Sequence, residues 1–273
     1  MTRAILFLTV LLLIGASLMV RAALSDPARH DLIYLSDRWP AGEPPIRLIF
    51  LSDIHTGMPD MPPERVARLV ARINALRPDC VLIAGDFTGN KYIGRSLSIP
   101  AAIAPLHGLR PRIDTIAVLG NHDGWRGRGP MIRALADAGM NVVVNGAARC
   151  GPVTVGGIDD LRTGHADPAA TLRAIRLFGG VPLLMAHDPG AFARVQGTGL
   201  LLAGHSHCGQ VVPPLPWAIL DRLGLHAQFA CGAMPFHRGT LIVTAGIGTS
   251  RVPLRWGAPP DFWVISVGPR ASH

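Results

Sequence analysis

Residues 48–55 have the sequence LIFLSDIH, in which four apolar residues run directly into Ser-Asp-Ile-His. A short apolar run of this kind is typical of a buried β-strand. The same change from an apolar run to Asp, His or Asn occurs four more times, in VLIAGD (81–86), IAVLGNHD (116–123), LLMAHD (183–188) and LLLAGHSH (200–207). Because strand carboxyl ends line the ligand crevice of an open α/β sheet, we expect the five polar ends to meet in one place.

The rest of the chain alternates strand-length and helix-period segments, which predicts α/β layering with well-covered sheets. Nine apolar runs are predicted strands: 47–51, 80–84, 115–119, 141–144, 153–157, 182–186, 199–203, 241–245 and 262–267. Residues 63–77 carry an apolar stripe of helical spacing, which predicts a helix that begins at Pro63. Further helix starts are predicted at Pro130, Pro168 and Pro189, and Gly139 is a predicted helix end.

The polar strand ends have the composition of a metal site. Imidazole nitrogens and carboxylate oxygens suit divalent Mn, Fe, Ni or Zn, and a mixture of the two could hold two cations side by side. Gly85, Gly120 and Gly204 precede three of these motifs and allow a sharp turn at the strand end. A single Asp-x-His is usually a cap or a surface turn, so the prediction depends on all five motifs occurring together.

In order and approximate spacing, these motifs resemble the signature blocks of the calcineurin-like metallophosphoesterase family. VGGIDDL (155–161), CGQ (208–210) and TSRVPLR (249–255) look like its membrane-anchored bacterial branch, so the resemblance covers about residues 46–267. It implies a four-layer α-β-β-α sandwich with two mixed sheets and a dinuclear metal site at the strand carboxyl ends. In that branch GHTHGGQ is frequent, whereas this chain has Ser206 and Cys208. The Cys208 thiol could ligate a metal or could be buried.

The resemblance also implies a role for each site residue. One metal would be bound by Asp53, His55, Asp86 and His207, and the other by Asp86, Asn121, His187 and His205. The implied reaction is hydrolysis of phosphate mono- or diesters or pyrophosphate bonds through a metal-bridging hydroxide. His122 would then protonate the leaving group or stabilise its charge, and Asp123 would fix the orientation of its imidazole.

The amino terminus predicts a membrane segment. Residues 4–20 contain no charge and lie between Arg3 and Arg21, and extension to Leu24 makes the segment long enough to span a bilayer. The resemblance places such an anchor in a bacterial inner membrane; the alternative is a signal peptide cleaved near Arg21 before export. The predicted domains are an anchor or signal at 1–24, a proline-rich linker at 25–45 and a metallophosphoesterase domain at 46–273.

Composition excludes some classes of protein. The 273 residues are 49% hydrophobic and carry a net charge of +8, which is too apolar for a disordered chain. Lys91 is the only lysine, and the arginines suit an anionic partner, although net charge alone also fits simple solubility. Five arginines near the motifs could bind a substrate phosphate: Arg126, Arg128, Arg162, Arg251 and Arg255. The four separated cysteines indicate neither a zinc knuckle nor a dense disulfide framework.

We consider three possible functions for this sequence. The first is a membrane-tethered phosphate-ester hydrolase, and the second is a non-catalytic metal-binding docking module on the same fold. The third, a nucleic-acid binder, is not expected, because aromatic residues are only 5% and the positive charges are dispersed. The apolar, proline-broken segment between Gln210 and Gly239 could form a lid for a lipid-linked substrate, with four large side chains available: Trp217, Ile219, Leu220 and Phe229.

Overall fold

A computed structural model describes residues 2–193, 195, 199–212 and 231–270 of the chain. The helices are α1 (Thr2–Ala23), α2 (Pro63–Ala75), α3 (Ile99–Ile103), α4 (Asn121–Asp137) and α5 (Pro168–Phe178). The strands are β1 (Ala28–Ser36), β2 (Ile46–Leu51), β3 (Gly57–Met58), β4 (Cys80–Ala84), β5 (Arg95–Ser96), β6 (Asp114–Val118), β7 (Asn141–Val142), β8 (Gly146–Cys150), β9 (Val153–Gly157), β10 (Val181–Met185), β11 (Leu200–Ala203), β12 (Gly232–Phe236), β13 (Gly239–Val243) and β14 (Asp261–Pro269).

Two six-stranded sheets form the centre of the fold. The first has the strand order β1-β14-β2-β4-β6-β7, and the second has the order β12-β13-β11-β10-β9-β8. Both are mixed, because β14 is antiparallel to β2 in the first sheet, and β12 and β8 are antiparallel to their neighbours in the second. The predicted α/β class with two mixed sheets is confirmed.

The alternation of side chains along each strand explains the layers. In β2, Leu48 and Phe50 face a core between the two sheets, while Ile49 and Leu51 face a second core shared with α2. On the far side of the second sheet, Ile175 of α5 packs with apolar residues of β10 and β11. Strands buried on both faces read as continuous apolar runs, which is why most of them were visible in the sequence.

Helix α1 is exposed over most of its length. Its segment Ile5–Ala23 has a mean hydropathy of 2.3 and is not buried inside the protein, so it is long and apolar enough to cross a membrane. Its carboxyl end is attached to the domain by two hydrogen bonds: the Arg65 guanidinium donates to the Ala23 carbonyl (3.0 Å), and the Arg255 backbone N–H donates to the Met19 carbonyl (3.0 Å).

Several predicted boundaries are wrong. The predicted linker 25–45 contains β1, which pairs in parallel with β14 over nine residues and extends the first sheet. Strands β8 and β12 were also missed, because both are partly exposed and lack a continuous apolar run. Helix α4 begins at Asn121 and not at Pro130; however, Gly127 (φ 124°) interrupts it, so Pro130 lies near the start of its second half. The predicted start at Pro168, capped by Asp167, is confirmed.

Candidate functional site

The five polar strand ends meet along one edge of the two sheets. Strands β2, β4 and β6 of the first sheet lead into Asp53, His55, Asp86 and Asn121, and strands β10 and β11 of the second lead into His187, His205 and His207. The structure therefore brings all seven predicted metal ligands together.

The backbone at this edge is unusual. Five of the seven residues have a positive φ between 47° and 67°: Asp53, His55, Asp86, His205 and His207. A non-glycine residue in this region costs about 1 kcal/mol or more, and such residues cluster at functional sites. The strand ends thus adopt strained conformations that direct their side chains to a common point, a feature that composition and spacing could not reveal.

One group of donor atoms surrounds the Asp53 carboxylate. The Nε2 atoms of His55 and His207 are 3.1 Å apart, and they lie 3.7 Å and 3.2 Å from Asp53 Oδ1. Asp86 Oδ2 completes the group at 3.5 Å from His55 Nε2. Among the described residues, the buried Asp53 Oδ1 has no hydrogen-bond donor. A buried carboxylate oxygen facing two imidazole nitrogens is the donor set that a divalent transition metal prefers.

A second group lies on the other side of Asp86. Its Oδ2 atom is 3.3 Å from His187 Nε2, which in turn is 3.2 Å from Asn121 Oδ1 and 3.1 Å from His205 Nδ1. Asp86 Oδ2 is thus within 3.5 Å of a histidine of each group. The donor atoms fit divalent cations by their chemistry and their spacing.

The remaining ring nitrogens orient the histidines. His55 Nδ1 donates to the Thr88 carbonyl at 3.1 Å, and His187 Nδ1 donates to the Ala84 carbonyl at 2.8 Å. Each bond fixes the tautomer that leaves the Nε2 lone pair free to bind a metal.

Burial and mutual charge set the protonation of the site. Burial lowers the pKa of His55 and lowers the pKa of His207 to about 4, so both rings stay neutral at neutral pH. Burial alone would raise the pKa of Asp86, but the His187 imidazole outweighs it and the net shift is downward. Burial opposes protonation of His187 as well, yet the nearby Asp86 carboxylate raises the pKa of that ring above its usual value. The carboxylate is therefore ionised and available to a cation.

The first turn of α4 carries His122 and Asp123, and here one prediction is wrong. Asp123 does not orient the His122 ring. Its carboxylate accepts hydrogen bonds from the backbone N–H groups of Asp86 (2.8 Å), Gly120 (3.0 Å) and Phe87 (3.0 Å), and thereby ties the loop after β4 to the loop after β6. Burial, reinforced by the Asp86 charge, raises the pKa of Asp123 to about 7.

A family model described as calcineurin-like phosphoesterase matches residues 46–209, the segment that contains all seven candidate ligands. The chain belongs to the calcineurin-like phosphoesterase family. This confirms the resemblance inferred from the strand-end motifs.

Relatives of the chain include proteins of animals and bacteria. The chain is 30% identical over 236 residues to a "Transmembrane protein with metallophosphoesterase domain" of Danio rerio, covering 77% of this chain and 50% of that protein. It is 26% identical over 220 residues to the "Uncharacterized metallophosphoesterase YkuE" of Bacillus subtilis, covering 75% and 73%. An "Uncharacterized metallophosphoesterase" of Helicobacter pylori is 26% identical over 234 residues, covering 82% and 60%. The chain thus spans about half to three-quarters of these relatives.

Among solved structures, a 5'-nucleotidase precursor from Thermus thermophilus superposes with a TM-score of 0.41 at 20% sequence identity, covering 63% of this chain and 43% of that one.

The candidate metal site opens into a cavity of about 350 Å³. Of the five arginines predicted to bind phosphate, Arg162 and Arg251 line this cavity. Arg255 is fully buried and donates to backbone carbonyls, including that of Ala258 at 2.8 Å, so it stabilises a turn. Arg128 pairs with Asp159 at 2.7 Å. Arg126 donates to the Leu97 carbonyl.

Cys208 is buried, as one of the two interpretations of the sequence predicted, but its sulfur is bonded in a disulfide and is not a free thiol that could ligate a metal. It forms a disulfide with Cys231, with Cα atoms 5.1 Å apart. Cys80 and Cys150 form a second disulfide. The predicted lid lies mostly outside the described residues, and so do its four large side chains at 217, 219, 220 and 229.

Sequence reasoning named Arg251 as a candidate for binding phosphate but missed its neighbour Ser250. The turn Thr249–Arg251 follows β13, and Ser250 and Arg251 line the cavity. The sequence did contain a pattern that points to this turn: the apolar run 241–245 leads into Gly-Ile-Gly-Thr-Ser, a sixth strand end with polar residues.

Proposed function

We propose that the chain is a membrane-associated hydrolase of phosphate mono- or diesters or of pyrophosphate bonds, and that it works with two divalent cations. The observation that carries this proposal is the position of Asp86, whose Oδ2 lies 3.5 Å from His55 Nε2 and 3.3 Å from His187 Nε2. A carboxylate shared by two donor groups is the arrangement expected of a bridging ligand.

In this proposal the seven residues divide as the family resemblance implies. Asp53, His55 and His207 hold one Mn, Fe, Zn or Ni ion, Asn121, His187 and His205 hold the other, and Asp86 is shared. Two such cations would supply an acidified water and positive charge for the phosphoryl oxygens. His122 lies next to the first group, with its ring centroid 4.9 Å from that of His55, and it assists departure of the leaving group.

The alternative function, a metal-binding docking module without catalysis, is less well supported. Loss of catalysis in a metal site would be expected to remove a ligand or the histidine beside the leaving group. Here all seven donors and His122 are present, and the seven donors converge at one sheet edge.

The proposed membrane association rests on α1. This helix is exposed and apolar over Ile5–Ala23, and the Danio rerio relative is named a transmembrane protein. We propose a single N-terminal anchor in the inner membrane of a bacterium, with export after signal cleavage as the alternative. The two disulfides support a domain that lies on the oxidising side of that membrane.

The test removes the shared ligand and one unshared ligand. Asp86→Ala and His205→Ala proteins, stripped of metal and reloaded with Mn, Fe, Zn or Ni, should bind less metal and lose hydrolysis of bis-p-nitrophenyl phosphate by about 10²-fold or more. Asp137→Ala, which removes an exposed carboxylate from α4, is the matched control. Circular dichroism verifies the fold, and full turnover in both site variants would refute the proposal.

A further inference from the structure

The turn Thr249–Arg251 is hydrogen-bonded to a buried ion pair of the domain. Lys91, the only lysine in the chain, places its ammonium 2.7 Å from Asp60 Oδ1, and both side chains are fully buried. The same ammonium donates to the Thr249 carbonyl at 2.6 Å. Asp60 Oδ2 accepts the Thr249 backbone N–H at 2.9 Å and its hydroxyl at 2.7 Å. Taking a lysine and an aspartate out of water is unfavourable unless they pair with each other, as they do here.

Two further contacts hold the neighbouring residues of the turn. Gln210 accepts the Ser250 backbone N–H at 3.0 Å through its Oε1 and donates to the Val252 carbonyl at 3.1 Å. The Arg251 carbonyl accepts the backbone N–H of Tyr92 at 2.8 Å. The three residues of the turn are therefore each bonded to a different part of the domain.

The fixed turn presents two side chains to the metal site. Ser250 Oγ lies 3.4 Å from His122 Nε2, and Arg251 lines the same cavity. The Arg251 guanidinium lies over the Tyr92 ring, 5.2 Å from its centroid. Within the described part of the chain, no carboxylate pairs with Arg251, whereas the other cavity arginine, Arg162, is paired with Asp188 at 2.6 Å.

We propose that this turn recognises the leaving group of the substrate: Arg251 binds a negative charge carried by the leaving group, such as the second phosphate of a diphosphate. Ser250, a positioning residue, fixes the His122 ring, and Lys91, Asp60 and Thr249 are positioning residues for the turn. The inference rests on the proposed hydrolysis, in which His122 acts on the leaving-group side. Ser250 contacts that histidine and Arg251 lines the same cavity, so both residues lie on the His122 side of the site.

The experiment compares two substrates on the full-length metal-loaded protein. ADP-ribose has a leaving group that carries a phosphate whichever phosphorus is attacked, whereas the p-nitrophenolate that leaves bis-p-nitrophenyl phosphate carries no phosphate. Arg251→Ala should raise KM for ADP-ribose, because a charge-assisted hydrogen bond to the leaving group is lost. The kcat/KM for ADP-ribose should fall by about 10-fold or more beyond any fall in the kcat/KM for bis-p-nitrophenyl phosphate. Arg173→Ala, which removes an exposed arginine of α5, should leave both values unchanged.

The other possible results would contradict either the role of Arg251 or the proposed hydrolysis. An equal loss on both substrates, no loss on either, or a wild type that cleaves only bis-p-nitrophenyl phosphate would overturn the role of Arg251. A metal-loaded wild type that cleaves neither substrate contradicts the proposed hydrolysis itself.

A second pair of variants tests whether the contact between Thr249 and Asp60 positions the turn. Thr249→Val keeps the side-chain shape but removes the hydroxyl bonded to Asp60, so it should reduce the preference for ADP-ribose as Arg251→Ala does. Thr249→Ser retains the hydroxyl and should preserve the preference. If Thr249→Val only lowers the melting temperature and leaves the ratio of the two kcat/KM values intact, the turn has no positioning role.

Discussion

The His122 side chain is buried, and its imidazole ring is neutral. Burial lowers its pKa, and among the described residues its buried Nδ1 has no hydrogen-bond partner, while Nε2 lies 3.4 Å from Ser250 Oγ. At neutral pH the imidazole can therefore assist a leaving group by donating from an uncharged N–H. Its benefit should be largest where the leaving group is most basic.

We therefore predict that the effect of His122→Ala depends on the leaving group. The rate for an alkyl phosphodiester should fall by about 10²-fold or more, and the rate for bis-p-nitrophenyl phosphate should fall less, because p-nitrophenolate departs without a proton. Steady-state kinetics over a series of phenols of rising pKa measures the dependence. His165→Ala, which removes an exposed histidine, is the control. Loss of bound metal in His122→Ala would instead make this residue a ligand, since its ring also lies within 4.8 Å of donors of His55 and Asp86.

The residues that could be predicted from the sequence are those that directly follow an apolar run. All seven candidate ligands have that position, so strand recognition alone was enough to group them. Lys91 and Asp60 lie in loops far from any such run, and their pairing with Thr249 depends on tertiary structure. The role of Asp123 was misjudged because its target is the backbone of two loops, which side-chain chemistry does not reveal.

At the scale of elements, the loop after β11 packs against the loop after β2 without space for a side chain at Gly204. A methyl group on Gly204 would lie 1.9 Å from Ser52 Oγ and 2.3 Å from Asp53 Oδ2. One of these loops follows a strand of the first sheet and the other follows a strand of the second. The close approach of the two loops therefore sets the distance between the candidate metal ligands that they carry.

Gly204→Ala should therefore displace Asp53 and weaken metal binding, with activity reduced by about 10²-fold and stability by about 1 to 3 kcal/mol. Calorimetric titration with Mn and thermal unfolding measure the two effects. Gly129→Ala is the control, since its added methyl group meets only the end of Arg133, at 3.5 Å. Wild-type metal affinity in Gly204→Ala would show that the loops can separate without loss of the site.

Elements buried on both faces were predicted well, and elements at the edges were not. The runs 80–84 and 153–157 coincide with β4 and β9, because a central strand has apolar residues throughout. Strand β1 alternates between exposed and partly buried residues at the border of its sheet, and prolines follow it, so it resembled a linker. Its pairing with β14 is a long-range event that local sequence does not encode.

At the scale of the molecule, a disulfide joins the two sheets. Cys80 begins β4 in the first sheet and Cys150 ends β8 in the second; both are fully buried, and their Cα atoms are 6.3 Å apart. The loop it closes spans 70 residues of sequence, so it restricts the unfolded chain strongly.

We expect the Cys80→Ala/Cys150→Ala double variant to lose about 2 to 5 kcal/mol of unfolding free energy, measured by urea denaturation of the full-length protein in detergent. The disulfide between Cys208 and Cys231 closes a shorter loop of 23 residues, so the Cys208→Ala/Cys231→Ala variant should lose less. Quantitative labelling of wild-type protein by maleimide without reductant would contradict both disulfides.

The donor atoms come from both halves of the sandwich: three strands of the first sheet and two of the second. Under the proposed assignment, neither sheet on its own supplies all the ligands of either cation. High-affinity metal binding would then require that the two sheets have already packed together, which makes it a late step of folding. A polypeptide cut between β7 and β8 separates the four ligands before residue 122 from the three after residue 186, so it should regain tight binding only when its two fragments reassociate.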